Sequence, residues 1–310
     1  MTPPRPVAAR IDAPAKINLG LELLGRRPDG YHEIRTVMAM IGLWDRLAVA
    51  RLSGGACDAV EGMDLGGERN LIAEACRVYR SASEFSERTW VYVTKHIPIA
   101  GGLGGASADG AATLLTLDSL NDDGNRLGRD RLMDLAAELG SDVPFFLGPP
   151  LALASGTGTT LAPLPSLRTT WHAVLASPTI DLPRKTATLY GAITLADYSD
   201  GSRAEAIAAA LRSGANPAFG PGLLANPFRI AWTRLGDPVA PVEEALLRAG
   251  APWVALSGAG PTVYTLTDDA ERAEAIAARL RERLAGPVVV NVAPILTQGM
   301  QVAPVADSAP

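Results

Sequence analysis

Cysteine is nearly absent: 310 residues contain only Cys57 and Cys76. Two cysteines make no disulfide framework, and their spacing matches no zinc motif. Such usage fits a reduced, cytosolic setting. A basic excess is also missing. The net charge of −5 argues against a general nucleic-acid or anionic-membrane binder, which needs a basic surface. No uninterrupted apolar run reaches the ~18 residues expected of a membrane span. Met1-Thr-Pro-Pro-Arg-Pro has no apolar h-region, so no secretory signal is expected. No repeat of about 20–50 residues recurs, which argues against a solenoid. Two common nucleotide motifs fail as well. The Gly-Lys pair of a Walker A loop occurs nowhere, and the dinucleotide fingerprint counted from Gly102 meets Ser107 where its last glycine belongs.

What is present describes a soluble globular protein with a full core: 47% hydrophobic and 20% charged residues. The length predicts two domains. Pro163 and Pro165 mark a linker within Ala162–Arg168, so residues 1–165 and 166–310 are the expected units. The small, proline-rich end from about Val302 is expected to fray.

The stretch from Lys95 to Asn121 stands out. Trp90–Thr94 before it alternates large β-formers. Ala111, Leu114, Leu115, Leu117 and Leu120 after it give a helix a broad apolar face. Between lie Gly101, Gly102, Gly104 and Gly105. Glycines bring main-chain N–H groups close to a ligand, and a helix N-terminus adds positive potential, so the segment can cradle phosphate. A glycine turn that merely packs a helix on a sheet is the plainer alternative.

Two other segments add chemistry. In Lys16-Ile-Asn-Leu-Gly-Leu-Glu-Leu, strand alternation puts Ile17, Leu19, Leu21 and Leu23 on one face and Lys16 with Asn18 on the other. The pattern over Arg10–Gly25 predicts a strand, a break and a second strand; further strands are predicted near Ile34–Ile41 and Arg46–Leu52. Helices are predicted over Arg69–Phe85 and Arg129–Leu139, the latter capped by Gly140. Asp142 precedes Val143-Pro144, a pattern for capping a short helix. Strands and helices then mix through Ser257-Gly-Ala-Gly-Pro261 to a last strand at Val288–Val292, which predicts an α+β architecture. A lysine, a carboxylate and glycine loops are the parts of phosphoryl transfer, which needs positioning and charge neutralisation. Singly, Lys16 reads equally well as a solvated strand lysine, Asp142 and Ser107 as helix caps, and His32 as a surface histidine. His96 and His172 have no partner pattern.

The order of segments carries more. Ala13-Pro-Ala-Lys-Ile-Asn-Leu, Asp29-Gly-Tyr-His-Glu, Ile97-Pro-Ile-Ala-Gly-Gly-Leu-Gly-Gly-Ala-Ser, Leu139-Gly-Ser-Asp-Val-Pro-Phe-Phe and Leu256-Ser-Gly-Ala-Gly-Pro-Thr-Val together resemble the GHMP kinase superfamily, over roughly residues 10 to 295. The resemblance implies the GHMP kinase fold: a ribosomal-S5-like N-terminal nucleotide domain plus a ferredoxin-like C-terminal domain. Within the superfamily it points to the branch that uses ATP to phosphorylate the 2-hydroxyl of a diphosphocytidyl-methylerythritol, in the non-mevalonate route to isoprenoid precursors. It implies Lys16 near the reacting groups and Asp142 as the base. It implies an ATP loop of Pro98, Ile99, Ala100, Gly101, Gly102, Leu103, Gly104, Gly105, Ala106, Ser107 and Ala108, with Lys95 near the adenine. For the substrate it implies Tyr31 stacking on the cytosine, His32 bonding the base edge, Asn18 in contact and Tyr190 packing on the cytidine. Mg²⁺ is expected alongside ATP; Ser107 is the candidate hydroxyl ligand and the others are unassigned. The implied partners are ATP and the cytidine alcohol, with no nucleic acid or membrane, in a cytoplasmic monomer or homodimer.

The sequence departs from the family pattern in places. Ala100, Ala106 and Ala108 replace small residues usual in the loop, and their methyl groups threaten the approach of phosphate. Asn226-Pro-Phe-Arg stands where an Asn-Asp-Leu/Phe-Glu segment is usual, so its acidic residues are lost. Two rivals stay open: another kinase of the superfamily, of homoserine or mevalonate type, and a non-catalytic nucleotide-binding scaffold. The Asp-Gly-Tyr-His-Glu segment favours a base-bearing substrate over the first. Lys16 and Asp142 together speak against the second.

Overall fold

The computed structural model describes residues 8–52, 59–62, 69–83, 85, 88–121, 125–284 and 286–304. Cys57 lies outside them; Cys76 is buried, its Sγ 3.6 Å from Thr89 Oγ1. Two long strands, β1 (Ala9–Arg26) and β2 (His32–Leu52), pair antiparallel at the centre. β3 (Ala59–Glu61), α1 (Leu71–Ala82) and β4 (Arg88–Thr94) follow, with β3 and β4 parallel. Then come α2 (Gly105–Leu120), α3 (Gly128–Leu139), α4 (Val143–Leu147), β5 (Leu151–Gly156) and β6 (Thr160–Pro163). The second half holds β7 (His172–Pro178), α5 (Lys185–Gly191), α6 (Ser202–Arg212), α7 (Pro227–Arg234) and α8 (Ala240–Arg248). It ends with β8 (Ala255–Leu256), β9 (Val263–Thr267), α9 (Ala270–Arg283), β10 (Val288–Pro294) and β11 (Val302–Pro304).

The first sheet runs β11-β1-β2-β4-β3, with β5 also on β2 and β6 on β5; the second runs β10-β7-β9-β8. Mixed parallel and antiparallel pairing, with helices gathered between and beside the sheets, makes the expected α+β architecture.

The expected break between two strands is a set of irregularities within β1. Register shifts fall between Pro14 and Ala15, Leu19 and Leu21, and Leu23 and Gly25. At the first shift the unpaired residues, Gly42 and Leu43, lie on β2; at the other two they are Gly20 and Leu24 of β1. The faces exchange across the first shift: Ile11 and Ala13 pack into the core beneath α1, α2 and α3. Ala15, Ile17 and Leu19, of the same parity, pack instead against the second half. That reversal leaves Lys16 and Asn18 on the α2 side.

Two further expectations are corrected. β6 occupies the start of the expected linker, where Thr160–Pro163 pairs with Ala152–Ser155. At the expected frayed end, Val302–Pro304 pairs with Ala9–Ile11, so the chain returns to the first sheet. Helix α2 is more enclosed than its apolar stripe suggests: even Asp109, Thr113 and Thr116 are buried.

Candidate active site

Lys16 is almost wholly buried. Its backbone N–H donates to Leu103 O (2.8 Å), which fixes β1 to the glycine loop. Its ammonium donates to Asn18 Oδ1 (2.6 Å) and lies 3.7 Å from an Asp142 carboxylate oxygen. Burial lowers the lysine pKa, and the charge of Asp142 opposes that shift without cancelling it. Asn18 in turn donates to Thr36 Oγ1 (3.0 Å), which donates to Gly20 O (2.6 Å). Asp142 occupies the N-cap position of α4 yet makes no capping bond. Its half-exposed carboxylate faces the lysine instead, so neither plain reading, solvated lysine or helix cap, describes the pair.

Space around this pair is made by glycine. A Cβ on Gly104 would come 3.0 Å from Lys16 Cγ and 2.9 Å from the Phe146 ring; one on Gly258 would meet Lys16 Nζ at 3.1 Å. The N-cap of α2 is Gly104, in the left-handed region, with no side-chain cap. Ser107 therefore does not cap the helix, and the first-turn amides stay available to an anion. The loops bracing this turn touch one another. Thr262 N–H donates to Gly101 O (3.1 Å), and Ser257 Oγ donates to Gly102 O (3.0 Å). A Cβ on Gly102 would stand 2.4 Å from Ser257 O, a contact only glycine permits.

The loop is anchored at both ends by buried charge. Asp45 accepts from the amides of His96 (2.6 Å) and Ile97 (2.9 Å), and from the Lys95 ammonium. Lys95 also donates to Asp109 (2.6 Å), inside α2. Two acids facing one ammonium in a dry site cannot both ionise cheaply. Burial first, and Asp45 against the pull of Lys95, push the Asp109 pKa up to about 7.

At the other end, His32 stacks on Tyr190 with ring centres 4.5 Å apart, and Phe228 meets Tyr190 edge-on at 4.9 Å. Burial, then the charge of Arg26, lowers the His32 pKa, so its ring is neutral at pH 7. Burial and, second, the charge of Asp142 push the Tyr190 hydroxyl up to about 12, which ties the aromatic end electrostatically to the carboxylate. Tyr31 projects outward, 66% exposed.

Known proteins match this chain in sequence and in fold. The GHMP kinases N terminal domain model matches residues 70–148, and the GHMP kinases C terminal model matches 207–286. A 4-diphosphocytidyl-2-C-methyl-D-erythritol kinase of Shouchella clausii is 39% identical over 87% of this chain and 90% of its own length. The chain belongs to the GHMP kinase family. Its Deinococcus radiodurans relative of the same name is 38% identical, covering 91% of this chain and 92% of that one. A crystal structure of 4-(cytidine 5'-diphospho)-2C-methyl-D-erythritol kinase superposes with a TM-score of 0.74 at 32% identity, over 92% of this chain and 98% of that one. A homoserine kinase from Cytophaga hutchinsonii shares the fold, with a TM-score of 0.66 at 18% identity over 98% and 99%.

In this GHMP kinase, Lys16, Asn18, Asp142 and the loop from Gly101 to Gly105 come together, and His32 meets Tyr190. Some supporting contacts were not legible beforehand. Asn226 accepts from Phe228 N–H (3.0 Å), capping α7, and donates to Leu256 O (3.0 Å) and Gly258 O (2.8 Å). Arg229, where the family pattern has an acid, pairs with Glu243 at 2.7 Å and Asp237 at 2.9 Å. The departure of Asn226-Pro-Phe-Arg from the family segment marked both positions, but not their partners, which lie far along the chain for Asn226 and on α8 and the turn before it for Arg229.

Proposed function

We propose that this kinase transfers the γ-phosphoryl group of ATP to the 2-hydroxyl of 4-diphosphocytidyl-2-C-methyl-D-erythritol, in the non-mevalonate route to isoprenoid precursors. The carrying observation is the Lys16–Asp142 pair, 3.7 Å apart, beside an uncapped helix N-terminus. Relatives of that name along most of the chain support the substrate.

In this reading, amides of the Pro98–Ala108 segment hold the phosphates. Asp142 takes the hydroxyl proton as the oxygen bonds the γ-phosphorus and ADP departs. The Lys16 ammonium offsets charge on the moving group. Asn18 orients Lys16 and the substrate. Tyr190, His32 and Tyr31 form the base end, where a neutral imidazole can bond a cytosine edge. Lys95 braces the loop beside the adenine, its ammonium already engaged. Residues 1–165 form the ATP-binding unit and also bring Asn18, Tyr31 and His32 to the substrate, while 166–310, the substrate unit, adds Tyr190; β11 rejoins the first unit. Among the described residues no group of three or more His, Cys, Asp or Glu side chains forms a metal cage. An Mg²⁺ bound with the nucleotide would be held by its phosphates, which suits that ion, with the Ser107 hydroxyl as the candidate protein ligand. Cytoplasmic residence follows from this role; no described helix is long and apolar enough to cross a membrane.

A coupled ADP-release assay across the cytidine alcohol, homoserine and mevalonate tests the reading. Turnover is expected on the cytidine alcohol alone. Comparable turnover on either rival would assign the kinase to that substrate instead.

A further inference from the structure

Lys185 is the first residue of α5, and its ammonium donates to two carbonyls, Ala100 O in the phosphate loop and Gly260 O in the Ser257–Pro261 loop. Several features make this contact more than a surface accident. A cation in a first helical turn faces the wrong end of the helix dipole. Only three described non-glycine residues have positive φ, and two of them lie here: Ala100 at 55° and Arg184, the N-cap of α5, at 47°. A left-handed L-residue costs ~1–2 kcal/mol, and such strain persists where surrounding contacts impose it. The two loops already meet through Thr262 N–H to Gly101 O and Ser257 Oγ to Gly102 O. Lys185 closes the far side of the same seam. Five residues along, α5 carries Tyr190, stacked on His32.

We propose that Lys185 is a positioning residue for phosphoryl transfer: it clamps the phosphate loop to the second glycine loop so that the cradle is formed before nucleotide enters. This rests on the reading of the Pro98–Ala108 segment as the ATP loop. Its physical content is simple. Carbonyl oxygens facing a polyphosphate repel it. Binding those of Ala100 and Gly260 to one ammonium keeps them turned away and leaves the neighbouring amides for the anion. It also sets a positive charge at the mouth of a site in a protein whose net charge is −5.

The test compares the wild type with Lys185→Met and Lys185→Arg, using calorimetric titration of ATP and ADP and steady-state kinetics. Loss of a preorganised loop raises the dissociation constants of ATP and ADP together, by ~10-fold for the methionine variant. KM for the alcohol and kcat at saturating ATP change less than about threefold, and arginine restores most of the affinity because it can still donate to both carbonyls. Thermal melting checks folding; if Lys185→Met melts below the assay temperature, Lys185→Gln takes its place. Unchanged nucleotide affinity overturns the proposal. A loss confined to ATP also overturns it, since the lysine would then be touching the γ-phosphate. The titrations need no acceptor, so wild type that binds ATP but ignores the cytidine alcohol defeats the substrate assignment and not this clamp.

Discussion

Lys16 has left water and received in exchange one amide oxygen at 2.6 Å and one carboxylate at 3.7 Å. Such incomplete pairing disfavours the charged form, as its lowered pKa shows. An additional anion beside the ammonium would complete it. Lys16→Met and Asp142→Asn should each lower kcat by ~10²–10³, the scale of losing one preorganised charge stabiliser. Calorimetry should show ATP affinity within a few-fold of wild type; near-normal turnover in either variant would remove that residue from the chemistry. Ala100 sits at φ 55° where glycine would rest unstrained. Ala100→Gly should raise unfolding stability by ~0.5–1 kcal/mol, the left-handed penalty less the entropy a glycine adds to the unfolded chain. A urea midpoint at or below that of wild type would show that the alanine is not strained. Of the other two loop alanines, Ala108 is buried in the core and Ala106 is exposed in the first turn of α2. Period-two alternation made the shared face of Lys16 and Asn18 legible. That this face meets Asp142 was not, because it depends on the register shift after Pro14 and on two glycines, Gly104 and Gly258, that leave room for the lysine stem and its ammonium.

Among the elements, the helices with a strong apolar period were readable: α1 and α3 fall close to their predicted spans. Those that escaped are short or carry no pattern. β3, β6 and β11 have too few residues to show a period, and α5 holds two threonines in seven residues, which weakens helix propensity. The phosphate loop hangs between two elements that were readable, β4 and α2, riveted at each end by the Asp45–Lys95–Asp109 group. That group titrates. The folded pKa of Asp109, about 7, lies above its ordinary value, so between those limits the folded state holds more protons than the unfolded one. Its contribution is full at the acid end and fades as pH rises through about 7. Asp109→Asn, permanently neutral, lacks this dependence. Urea unfolding at pH 5 and pH 7.5 should show wild type losing roughly 1 kcal/mol or more relative to the variant over that interval. An equal difference at both pH values would mean that Asp109 titrates normally.

At the scale of the whole molecule, the sequence boundary near residue 165 suggests two independent bodies, but the core does not divide there. Ile17, Leu19 and Val37 of the first sheet share one buried cluster with Leu175, Tyr264 and Leu266 of the second and with Ile207 and Leu211 of α6. Leu21 and Leu23 of β1 enter the remaining cluster of the second half. Tyr264 OH donates to Asn18 O at 2.6 Å, so a buried polar bond crosses the same seam beside the site. Either half alone would expose its share of these clusters, at roughly 25 cal/mol for each Å² of apolar surface returned to water. Unfolding should therefore be a single transition, with far-ultraviolet circular dichroism and tryptophan fluorescence superimposing along a urea titration. Tyr264→Phe strands the Asn18 carbonyl and should lower the midpoint, costing about 1–3 kcal/mol, without splitting the curve. Two separated transitions would mean that the halves are held together only weakly. The Lys16–Asp142 pair, which draws on β1 and α4 while β7 to β9 pack behind β1, would then have to be assembled by the ligands themselves.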